Sequence, residues 1–92
     1  MIIRIMGEGQ YEVPRSLFDE LNVIDNRIVE LVDQGNEEDY RTELLKLIQV
    51  IKSNGKQLDD SSIVESNIIV PPEDLSLKEA KDIFTGSGLL ED

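Results

Sequence analysis

Leu17, Leu21, Ile24, Ile28 and Leu31 recur at intervals of four, three, four and three. That is the period of one apolar face of an α-helix. Phe18, Val29 and Val32 widen the stripe, and Gly35 follows where a left-handed cap would end it. Ser16 with Asp19 resembles an N-terminal capping box for this helix. A second stripe, Tyr40, Leu44, Leu47 or Ile48, and Ile51, begins just beyond Asn36, a residue suited to capping it. Glu37, Glu38 and Asp39 put negative charge at the positive end of that helix dipole, and Lys52 complements the other end before Ser53-Asn54-Gly55 stops it. Only Gln34-Gly35-Asn36 separates the two helices. A connection that short predicts an antiparallel αα-hairpin.

The flanks predict strands. Ile2, Ile3 and Ile5 form a short β-branched run, and Gln10-Tyr11-Glu12-Val13 alternates polar with apolar, the period of a strand. Gly7 and Gly9 between them permit the positive φ of a tight hairpin loop, and Pro14 ends the pairing. Lys56 to Glu65 is polar and reads as a loop that Leu58, Ile63 and Val64 pin to the core. Residues 67–70 before Pro71-Pro72 read as a third short strand, which a lone hairpin needs for stability. Ser76 with Glu79 opens a short helix over 77–84, which Thr85-Gly86-Ser87-Gly88 ends, and Leu89-Leu90 add a last apolar patch. The expectation is therefore an α+β fold. The chain has no internal repeat and no low-complexity linker, so it reads as a single domain over 1–92.

Composition narrows the function. Nine Lys and Arg against twenty Asp and Glu leave a net charge of −11. That charge opposes binding to nucleic-acid phosphates and to anionic lipid head groups. No run approaches the roughly 20 apolar residues that would cross a bilayer. The opening Met1 to Met6 is too short for a secretory signal, so the expected location is the cytoplasm. With no Cys and no His, thiolate, imidazole and zinc-finger chemistry lose their usual side chains.

The remaining motifs read more simply as structure. Gly7-Glu8-Gly9 precedes a strand, whereas a phosphate-binding glycine loop opens a helix. Glu37-Glu38-Asp39 and Asp59-Asp60 lack the alternating oxygen spacing of a calcium loop. Ser53 near Lys56, and Ser76 near Lys78, lie at a helix end, a cap or a loop, with nothing to mark a nucleophile and its base. No catalytic residue, metal ligand or cofactor is expected. The first stripe spans only about two heptads, so it reads as intramolecular packing and not as a coiled-coil seam.

The opening Met1-Ile2-Ile3-Arg4-Ile5-Met6-Gly7-Glu8-Gly9-Gln10-Tyr11 resembles the PspAA family, small proteins associated with phage-shock protein A. Leu21-Asn22-Val23-Ile24-Asp25-Asn26, Val70-Pro71-Pro72, Leu75 to Ala80 and the closing Gly88-Leu89-Leu90 are similar to it too. The resemblance implies a role in an envelope-stress system beside a PspA/Vipp1-like coiled-coil protein that remodels membranes. It carries over no catalytic residue. The expected function is a non-enzymatic adaptor or regulator that binds this partner. A rival is an acidic regulator occluding a basic protein surface, and a carboxylate-dependent hydrolase stands third. Gln10, Tyr11 and Phe18 are the candidate partner-binding residues. Tyr11 is one of only four aromatic residues, and its ring could anchor a partner or cap the core. Gln10 should face the opposite side of the strand from Tyr11. Phe18 is extra to the helical seam and so is free to cover the sheet or meet a partner.

Overall fold

The computed structural model describes residues 1–59, 61, 64–84 and 88–90. Strand β1 (Ile2–Ile5) and strand β2 (Gly9–Glu12) form the expected hairpin, with Ile3 opposite Tyr11 and Gly7 and Gly9 at positive φ. Helices α1 (Phe18–Gln34) and α2 (Glu37–Asn54) pack against each other as the αα-hairpin. Two further strands, β3 (Lys56–Gln57) and β4 (Ile68–Val70), precede the short helix α3 (Leu77–Ile83). The sheet order is β3-β2-β1-β4. The chain is thus α+β with a mixed sheet: β4 runs parallel to β1, and the other two pairs are antiparallel.

Local chemistry explains most boundaries. Gly35 at φ 73° donates its N–H to the carbonyls of Leu31 and Val32, and Asn36 N–H reaches Leu31 O at 3.0 Å, closing the end of α1. The side chain of Asn36 accepts the Asp39 N–H and caps α2. Ser76 Oγ likewise accepts the Glu79 N–H at the start of α3. The start of α1 departs from expectation. A 3₁₀ turn over Arg15–Leu17 leads into the helix, Leu17 is its N-cap, and no side chain caps it. Pro14 supplies the reason, because its carbonyl accepts the Leu17 N–H and winds the chain before Ser16 can act as a cap.

The two helical stripes and the inward side of the sheet make one hydrophobic core. Ile3, Ile5, Tyr11, Val13 and Val70 join Leu21, Ile28, Leu44, Leu47 and Ile51 there. Tyr40 is fully buried, donates its hydroxyl to Leu75 O at 2.8 Å and meets Phe84 edge-on at 6.4 Å between ring centres.

The polar stretch after α2 differs from a plain loop. Lys56 and Gln57 pair with β2, a contact made by backbone groups that leaves no apolar pattern to read. Leu58 is half-buried and donates its N–H to Gln10 O. Val64, expected to pin the segment, is exposed, and Ile63 lies outside the described residues. Gln10 does the pinning, since its carboxamide donates to Val64 O at 2.9 Å and Ser66 Oγ at 2.8 Å. Thr85, Gly86 and Ser87 of the expected helix stop also lie outside the described residues.

Candidate partner-binding groove

The three candidate residues do not share one surface. Tyr11 is 6% exposed and sits in the core cluster, so little of its ring is open to contact. Gln10 is buried as well and is committed to Val64 and Ser66. Phe18 is half-buried, packs on the core and lines a groove of about 320 Å³.

The groove joins parts of the chain that are far apart in sequence: Met1, Arg15, Phe18, Asn67, Ile68 and Leu89. Each wall is held. Met1 and Val13 exchange backbone hydrogen bonds, at 3.1 Å to Val13 O and 2.9 Å to Met1 O. Asn67 is fixed against β1, because its side-chain oxygen accepts the Ile2 N–H at 2.8 Å while its own N–H donates to Ile2 O at 2.8 Å. Arg15 stands on the 3₁₀ turn that opens α1, and Phe18 is the first residue of the helix proper.

Leu89 is held by a charged residue on the buried side of α1. Asp25 of α1 is fully buried, and its two carboxylate oxygens accept the N–H groups of Leu89 at 3.0 Å and Leu90 at 2.8 Å. Burial pushes its carboxyl above the ordinary value, against the pull of those two donors. Gly88 makes the close approach possible. It adopts φ 81°, and a Cβ there would lie 2.6 Å from an Asp25 oxygen. One signal in the sequence marked Asp25: it stands four residues after Leu21 and three before Ile28, on the face the apolar stripe requires to be buried.

Other charged features are local. Lys52 bonds Glu8 at 2.6 Å, which raises the ammonium above its usual range. Asp59 accepts both the N–H and the hydroxyl of Ser61, which holds its carboxyl below the usual range. Among the described residues, no three His, Cys, Asp or Glu side chains are grouped to hold a metal ion. Among the same residues, no helix is long and apolar enough to cross a membrane. A hollow of about 400 Å³ along α2, beside Leu45 and Val50, is formed by that one helix alone, as expected of side-chain relief on a surface helix. The groove at Phe18 is instead assembled from Met1 ahead of β1, the 3₁₀ turn, α1, the start of β4 and Leu89, and so it is the stronger candidate for recognition.

No curated protein and no solved structure gave a match to this chain. The model of one family, described as PspA-Associated protein, matches residues 1–92, the full length. The chain therefore belongs to the PspAA family.

Proposed function

We propose that the chain is a non-enzymatic adaptor or regulator in a PspA-linked membrane-stress system, working in the cytoplasm by binding a PspA-like coiled-coil protein. The full-length family match carries this reading, since the family is described by its association with PspA. The net charge of −11 supports it, because an acidic surface speeds encounter with a basic helical face and disfavours anionic lipid. Phe18 supplies an accessible aromatic contact beside the groove, the kind of side chain that contributes strongly at interfaces. The test is purification of the tagged chain from its native host, with identification of the proteins that accompany it. A PspA-like protein should co-purify and bind the purified chain in isothermal titration, and its absence from both would overturn the proposal.

The charge also favours a second reading, in which the chain merely occludes a basic protein surface. A polyglutamate chain would then displace it from the partner. Retention of the partner in the presence of polyglutamate separates shape-specific binding from acidic mimicry.

A further inference from the structure

We infer that the groove at Phe18 recognises a carboxylate carried next to an apolar side chain on a peptide segment of a protein partner. The inference rests on the reading of the chain as a binding protein, but not on which protein it binds.

The first support is the local charge. The chain has twenty carboxylates and nine cationic side chains, yet none of the six groove residues carries a carboxylate, and one of them is Arg15. Arg27, Arg41 and Lys52 are taken up by Glu43, Glu37 and Glu8, and of the other six cationic residues it is Arg15 that lines this groove. Among the described residues Arg15 makes no such ion pair, and it is exposed. A guanidinium at a groove rim matches a carboxylate in shape as well as charge.

The second support is the fixed orientation of Asn67. Its side-chain oxygen is occupied by the Ile2 N–H, which leaves its N–H₂ group as the donor it can offer. Arg15 and Asn67 together therefore present donors, while Phe18, Ile68 and Leu89 present apolar surface. An acceptor-only group joined to an apolar one complements that pairing.

The third support is size and rigidity. A volume of about 320 Å³ is near the lower end for ligand pockets, which suits one or two side chains. The walls are fastened by Val13, Ile2 and Asp25, so binding need not order them. Asp25 is a positioning residue here: it holds Leu89 through the backbone N–H and is not itself among the residues that line the groove.

The carboxylate could come from an internal Glu or from a C-terminus, and the experiment separates them. Three fluorescent peptides are titrated into the full chain: Lys-Ala-Leu-Glu-Leu with both ends blocked, Lys-Ala-Leu-Gln-Leu with a free C-terminal carboxylate, and Lys-Ala-Leu-Gln-Leu with both ends blocked. At least one carboxylate peptide should bind about tenfold or more tightly than the fully blocked Gln peptide, and the tighter of the two identifies the source. Arg15→Gln should abolish that preference and Arg15→Glu should reverse it, with unchanged melting curves because Arg15 is exposed and makes no ion pair among the described residues. Equal binding of all three peptides, no binding up to about 1 mM, or an unchanged preference in both variants would overturn the inference. If a PspA-like protein co-purifies while no peptide binds, the inference fails and the proposed function stands. If the carboxylate peptides bind and no such protein co-purifies, the groove reading stands and the proposed function fails.

Discussion

Asp25 shows how one side chain can set the geometry of a distant segment. A carboxylate removed from water is costly, and here two backbone donors offset part of that cost. Asp25→Ala would leave the N–H groups of Leu89 and Leu90 without their acceptor, and we expect it to lower stability by about 1–3 kcal/mol in urea denaturation. The pH dependence has a definite sign. The carboxyl value is raised in the fold above the ordinary 3.8. Between those two values the folded chain holds a proton that the unfolded chain has lost, so this group favours folding most below 3.8 and loses that contribution as pH rises through its raised value. The stability of the wild type minus that of Asp25→Asn should therefore fall across that window, and a series of denaturation curves from acid to neutral pH would measure it. Gly88→Ala should also destabilise, through both its φ of 81° and the encounter with the Asp25 carboxylate.

At the scale of elements, the helical hairpin is the frame on which the rest is arranged. Leu44 is fully buried in the seam of α2, among the largest enclosed side chains. Leu44→Ala should cost about 2–4 kcal/mol, through lost transfer energy and the cavity left behind. A chemical denaturation midpoint corresponding to less than about 1 kcal/mol would mean that the seam had closed over the gap. The helices were legible because a buried stripe repeats every three or four residues and because Gly35, Asn36 and Ser76 mark their ends. The start of α1 was not, because a 3₁₀ turn after Pro14 replaced the side-chain cap. Strand β3 is not legible either, because two polar residues paired through their backbones leave no periodic trace.

Over the whole molecule, charge should govern the approach of a partner. With a net charge of −11, long-range attraction to a basic protein depends on screening, and the Debye length falls from about 10 Å at 0.1 M salt to about 3 Å at 1 M. We expect the association rate with a basic-faced coiled-coil partner to drop about tenfold or more over that range while the dissociation rate changes far less. Stopped-flow measurements at several salt concentrations would check this. A rate insensitive to salt would place recognition in short-range contacts alone. The carboxylate preference inferred for the groove at Phe18 should likewise weaken as salt rises in the peptide titrations, since Arg15 is exposed.

Local sequence pattern sufficed for the α+β class, the helical hairpin with the caps of α2 and α3, the glycine hairpin between β1 and β2, and a short strand near Pro71. Each of these is signalled within about twenty residues, by a period, a cap or a turn residue. Tertiary structure alone decided that β4 lies parallel beside β1, that Gln10 reaches Val64 and Ser66, and that Asp25 grips Leu89 and Leu90. It also decided that Tyr11 is enclosed while Phe18 borders a groove. These contacts join residues 54 to 65 positions apart. A hydrogen bond across such a distance requires only one suitable group at each end, and single groups carry no periodicity, so only the folded chain reveals which of them meet.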